Sequence, residues 1–162
     1  MVSKVMVMQG VSGSGKSTIA AKFAIENDGF VVSADDFFLN DEGVYTFNPT
    51  LLSRAHGSCF YKFLDYLNWG SNVIVDNTNT TGMEIAPYAT AVAAFNHKND
   101  NSPEYHFEIV SVERDLDTCI KSNKHGVPEK AIRAQADRIK HFSSHGNPFK
   151  WTVRRYINEE LS

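Results

Sequence analysis

The stretch GVSGSGKST, Gly10 to Thr18, follows the apolar run Val5 to Met8 and precedes a segment in which Ile19 and Phe23 stand four apart. Gly10, Gly15, Lys16 and Ser17 occupy the fixed places of G-x-x-x-x-G-K-[ST], a pattern whose meaning depends on a strand before it and a helix after it. Both are legible. Val5 to Met8 has the unbroken apolar character of a strand buried on two faces, and a helix is predicted from Lys16 to about Asn27, ended by Gly29. Glycines in such a loop let successive backbone N–H groups converge on phosphate oxygens, and the helix N-terminus adds partial positive charge. Residues Gly10, Ser12, Gly13, Ser14, Gly15, Lys16, Ser17 and Thr18 therefore read as a cradle for a nucleoside triphosphate. Lys16 reaches the β- and γ-phosphates, and the Ser17 hydroxyl ligates Mg²⁺.

Working outward, helical and strand periods alternate along the chain. Strands are predicted at Phe30 to Ala34, Asn72 to Asp76 and Tyr105 to Glu113, and a last one from the alternation of Phe149, Trp151 and Val153 with polar neighbours. Helices are predicted from Asn48-Pro49 to Gly70, from a capping box at Thr81 to about His97, over Leu116 to Lys121, and from Pro128 onward. Leu39 to Asn48 reads as a polar loop and Lys98 to Pro103 as a polar turn. Alternating strands and helices imply an α/β fold with a parallel sheet, in which ligands bind at the carboxyl ends of the strands.

Three polar clusters fall at those ends: Asp35-Asp36, Asp76 to Thr81, and Glu113 to Asp115. Asp76 follows a hydrophobic strand, where a carboxylate is placed to hold Mg²⁺ directly or through water. The aspartate pair suits a different task. An acceptor hydroxyl must lose its proton as a bond to phosphorus forms, and a carboxylate beside the phosphate loop takes it.

GVSGSGKST, SADDFF, AHGSC, VIVDNTNT and NKHGVP, in this order, resemble the 5′-polynucleotide kinase group of P-loop kinases, over roughly residues 4 to 140. The resemblance implies a three-layer α/β fold with a five-stranded parallel sheet flanked by helices, and a lid at about residues 122–129. It implies an ATP- and Mg²⁺-dependent kinase acting on the 5′-hydroxyl of DNA or RNA, with Asp35 as general base. Asp36, Asn77 and Asn79 would shape the acceptor pocket. Two positions depart from the family: Phe38 stands where the phage enzyme has an arginine used on a substrate phosphate, and Ser122 stands where lids carry an arginine. The cation for the transferring group then falls to Lys124, ahead of Lys121, Arg133 and Arg138, with Arg138 also expected near the nucleotide. Phe37, Phe38, Tyr45 and Phe47 are placed either to stack a base or to pack the loop.

Composition bounds the remainder. The 162 residues, 42% hydrophobic and 22% charged, suit one domain over 1–162. Cys59 and Cys119 have no C-x-x-C partner and read as core thiols, and a cytoplasmic protein with no membrane association is expected. Charge is uneven: six basic and thirteen acidic residues precede position 114, against ten and six from there on. A basic last third is compatible with a nucleic-acid-binding face. Two other functions remain open: a kinase of a small hydroxylated molecule such as a nucleoside or modified base, and a non-transferring nucleotide switch, against which Asp35 argues.

Overall fold

The computed structural model describes residues 2–98, 104–147 and 149–159. Five strands, β1 (Ser3–Gln9), β2 (Gly29–Val32), β3 (Asn72–Val75), β4 (Tyr105–Glu113) and β5 (Val153–Ile157), form one parallel sheet in the order β2-β3-β1-β4-β5. The central β1 is covered on both sides, which explains its continuous apolar run. Val5 and Val7 point into a core shared with α2 (Leu52–Asn68) and α3 (Gly82–Lys98), through Ala55, Cys59, Phe63, Leu67, Ile85, Tyr88 and Val92. Met6 and Met8 point the other way, against Ile19, Ala20 and Phe23 of α1 (Lys16–Glu26). Each such side chain withdrawn from water contributes about 1.5–3 kcal/mol, and together they fix the sheet between two helical layers.

A third cluster matters more for the site. Val11 of the glycine-rich loop packs with Cys119 of α4 (Leu116–Lys121) and Ile132 of α5 (Glu129–His141). The phosphate-type loop is thereby clamped to the two helices that carry the connection 122–128. Both cysteines are buried and free, as expected of core thiols, and burial raises both thiols.

The helices begin where their caps require. Asn48 accepts from the Thr50 amide ahead of Pro49, and Thr81 and Glu84 form the reciprocal capping box. Three boundaries differ from expectation. Helix α1 ends at Glu26, the left-handed residue is Asp28 (φ 47°), and Gly29 opens β2, where a Cβ would press on the Asn72 carbonyl. Strand β2 stops at Val32 because Ser33 caps a 3₁₀ turn, Ala34–Phe38, by accepting from the Asp35 amide at 3.2 Å. The last strand starts at Val153. Phe149 and Trp151 precede it in a turn where Lys150 has φ 52° and Asn147 exchanges two hydrogen bonds with Trp151. The turn expected over 98–103 lies outside the described residues beyond Lys98, as does Pro148. Among the described residues no helix is long and apolar enough to cross a membrane.

Candidate active site

The strand order reverses at β1, and the loop after it lies at the carboxyl edge of the sheet, where a parallel α/β fold opens its crevice. The loop is tied down from four directions. Gly10 N–H donates to Thr78 (3.1 Å), Ser12 N–H to Gln135 Oε1 (2.8 Å), Arg114 Nη1 to the Gly13 carbonyl (3.2 Å) and Asn158 Nδ2 to the Ser14 carbonyl (2.9 Å). Gly13 and Gly15 hold φ of 82° and 90°. A Cβ at Gly13 would strike the Cys119 backbone, and one at Gly15 the Asn158 side chain. Glycine is required there by both conformation and space. Gly15 is also the residue before α1, and no side chain caps that helix end. Its first amides are therefore left for an anion.

A cleft of about 370 Å³ opens over this loop. Its walls include Ser12, Lys16, Ser17, Thr18, Asp35, Asp76 and Asn77, with Arg114 from the end of β4, Lys124 and His125 from the connection, and Asn158 after β5. Lys16 is only 8% exposed and its Nζ donates to the Val11 carbonyl at 2.8 Å. Burial lowers its pKa, opposed by the charges of Asp76, Cys119 and Asp35. Asp76, 9% exposed, is pushed up by burial and pulled back by a hydrogen bond from Ser17 and by the Lys16 charge. Ser17 and Asp76 thus present adjacent oxygen ligands at the edge of the cleft, the donor chemistry that a hard divalent cation such as Mg²⁺ takes.

Asp35 stands at the mouth with its side chain 54% exposed. The Tyr45 hydroxyl donates to its Oδ1 at 3.1 Å, and His125 Nε2 lies 3.8 Å from its Oδ2. Burial and the neighbouring Asp35 charge push the Tyr45 phenol up to about 12.

The expected site residues divide into two sets. Ser12, Gly13, Gly15, Lys16, Ser17 and Thr18 of the cradle line one cleft with Asp35, Asp76, Asn77 and Lys124, whereas Gly10 and the buried Ser14 are not part of its wall. Three residues expected beside it, Phe38, Asn79 and Arg138, are engaged elsewhere, and Asn77 has a second task. Phe38 is 6% exposed and packs edge-on with Phe37, Tyr45 and Phe47, so it serves the core rather than an acceptor surface. Asn79, with φ 45°, donates to the Met8 carbonyl at 2.8 Å and holds the end of β1. Asn77 lines the cleft yet spends its Oδ1 on the Ala34 amide (2.9 Å), fixing the turn that carries Asp35. Arg138 donates from Nε to Thr80 at 2.9 Å and is not part of the cleft wall. Arg133 pairs with Glu129 at 2.7 Å and with Asp117 at 3.8 Å. Asp36 is exposed beside Asp35.

Sequence reasoning missed Arg114, His125 and Asn158 as cleft residues. Arg114 sits inside the polar cluster at the end of β4, and His125 inside NKHGVP, so both had a signal; Asn158 had none.

Comparison with known proteins agrees with this architecture. A family described as AAA domain matches residues 5–145. The chain is 26% identical over 153 residues to human NEDD4-binding protein 2, covering 86% of this chain and 8% of that much longer protein. Among solved structures it resembles a chain of the Pnkp1/Rnl/Hen1 RNA repair complex (TM-score 0.70, 20% identity, 88% of this chain and 46% of that one). It also resembles the Mycobacterium tuberculosis APS kinase CysC in complex with AMPPNP and APS (TM-score 0.61, 18% identity, 99% and 91%). The five-stranded parallel sheet between helices is the P-loop kinase fold.

Proposed function

We propose that this chain, which belongs to the AAA domain family and has the P-loop kinase fold, transfers the γ-phosphoryl group of ATP to the 5′-hydroxyl of a polynucleotide. The observation that carries the reading is Asp35, an exposed carboxylate lining the same cleft as the glycine cradle and Lys16. A hydrolytic switch has no need of a proton acceptor so placed; a transferase does.

The residues divide the work as follows. Amides of the Gly10 to Thr18 loop and the start of α1 hold the phosphates. Lys16, kept in place by the Val11 carbonyl, turns its charge to the β- and γ-oxygens. Ser17 and Asp76 would hold Mg²⁺, which when bound neutralises charge on the transferring group. Asp35 takes the acceptor proton as the new O–P bond forms and the bond to the leaving diphosphate breaks, while Asp36 lies on the acceptor side. Lys124, in the connection over the cleft, supplies the cation that lids otherwise draw from arginine. The resemblance to a chain of an RNA repair complex supports a nucleic-acid acceptor.

One observation favours a second reading. Phe38, buried where an acceptor-phosphate arginine would stand, weakens the grip on a polynucleotide and suits a small hydroxylated molecule. Transfer of labelled γ-phosphate, screened over 5′-hydroxyl RNA, 5′-hydroxyl DNA, nucleosides and nucleotides, separates the two. The first reading expects labelled oligonucleotide; label on nucleosides alone overturns it in favour of the second.

A further inference from the structure

Three segments meet at Asp35: the 3₁₀ turn that bears it, the loop 39–48 that follows directly and bears Tyr45, and the sequence-distant connection 122–128 that bears His125. We propose that Tyr45 and His125 are positioning residues, which aim the Asp35 carboxylate and couple the acceptor loop to the lid. The proposal rests on Asp35 being the general base.

The Tyr45 hydroxyl is not a free rotor at a loop tip. Its loop is folded by an antiparallel bridge between Leu39 and Tyr45 and by a Thr46 amide bond to the Phe38 carbonyl (2.9 Å). Asn40 Oδ1 accepts from the Glu42 and Val44 amides, and the Tyr45 ring packs on buried Phe38 at 6.0 Å. The ring is therefore held by core contacts while its hydroxyl reaches Oδ1. Because the phenol keeps its proton to about pH 12, Tyr45 acts as a donor and not as a rival base.

The other oxygen is left differently. At 3.8 Å from Oδ2, His125 Nε2 is beyond hydrogen-bond distance. Its ring nevertheless rests on Tyr45, with centroids 4.5 Å apart at 44°. With Oδ1 committed to Tyr45, Oδ2 is the atom that receives the acceptor proton, and His125 bounds its approach from the lid side. Asn123 holds that part of the lid in shape by donating to the Val127 carbonyl at 2.6 Å and accepting from the His125 amide at 3.3 Å. Lid and acceptor loop thus meet through one ring contact directly over the base.

The test is a double-mutant cycle in the full chain, with a 5′-hydroxyl RNA oligonucleotide as acceptor and single-turnover transfer as readout. Tyr45→Phe keeps the ring and removes the hydroxyl, so transfer should slow by about 10-fold, as for loss of a hydrogen bond to a carboxylate in a half-exposed setting. Affinity for a fluorescent ATP analogue should stay within about two-fold, because Tyr45 touches no part of the cradle. In an Asp35→Asn background the same substitution should have almost no further effect. His125→Ala should also slow transfer, and His125→Phe, which retains a ring to pack on Tyr45, should recover part of the loss. Equal losses from Tyr45→Phe with and without Asp35 would mean that the tyrosine merely packs the loop, and would overturn the proposal. So would normal transfer by both Tyr45→Phe and His125→Ala alongside an inactive Asp35→Asn. Normal transfer by Asp35→Asn itself would instead overturn the base reading, and this proposal with it.

Discussion

Lys16 is a buried cation whose charge the folded chain disfavours even with Asp76 and Asp35 near it. The unfolded chain binds that proton more readily, so the penalty is full wherever the folded chain still carries the charge and disappears as pH rises towards the ordinary lysine value of 10.5. Lys16→Met keeps the aliphatic stem and removes the charge. Without ligand it should melt higher than the parent at pH 7, by about 2–4 °C per kcal/mol relieved, with the gap closing as pH rises towards 10.5, and phosphoryl transfer should be lost. A scanning calorimeter and a transfer assay decide it; a lower melting temperature would mean that the Val11 contact outweighs the desolvation. Asn79 behaves in the opposite way. It is 3% exposed and holds the Met8 carbonyl, and Gln9 Nε2 in turn donates to the Asn79 carbonyl at 3.0 Å. Asn79→Ala should cost about 1–3 kcal/mol through the orphaned carbonyl, visible as a lower urea midpoint. The KM for an acceptor should be unchanged if the residue is structural, and a raised KM would return it to the acceptor pocket.

At the scale of elements, the connection 122–128 and α5 divide the cations between them. Lys124 lines the cleft, whereas Arg138 is bound to Thr80 and Arg133 to Glu129. Lys124→Ala should therefore lower kcat by about 10²-fold, the range for one lost charge-stabilising donor, with a much smaller change in ATP affinity. Arg138→Ala should alter stability more than turnover. A larger kcat loss from Arg138→Ala would move the role to α5. This division marks where reading the chain succeeded and where it stopped. The phosphate loop, β3 and the capping box at Thr81 were legible because each depends on neighbours within four or so residues. The resemblance implies an acceptor role for Asn79 and the sequence leaves Phe38 open between stacking a base and packing its loop, because such side chains look alike in sequence whether they face a ligand or tie neighbouring backbone. Only the register of β1 with β3 and the packing of loop 39–48 distinguish the two cases. The onset of β5 was illegible for a related reason. An edge strand with Val153, Arg154 and Arg155 all exposed has no inside–outside alternation to betray it.

Across the whole molecule, the basic excess after position 113 is partly spent on internal pairing. Arg154 binds Glu108 at 2.9 Å and lies over the Phe23 ring at 4.9 Å, and Arg155 grips Glu113, whose carboxyl is held below the usual range. Those two arginines lie within β5, and their charge is already matched by β4 carboxylates. On the proposed reading, an acceptor backbone would meet the cations that line the cleft beside the nucleotide, among them Lys22, Arg114 and Lys124. A polynucleotide engaging them displaces counterions, so its KM should climb steeply between about 50 and 200 mM salt, whereas an uncharged nucleoside acceptor would be nearly insensitive. With Phe38 buried in place of an arginine, few phosphates are contacted, and the slope of log KM against log salt should be near the value for about two or three neutralised charges. Arg154→Ala/Arg155→Ala should leave that slope unaltered and lower thermal stability slightly, whereas Lys124→Ala should reduce it by about one charge. A slope that falls in the double arginine variant instead would place the acceptor strand along β5, and a flat salt profile for every oligonucleotide would exclude a polynucleotide acceptor from this cleft.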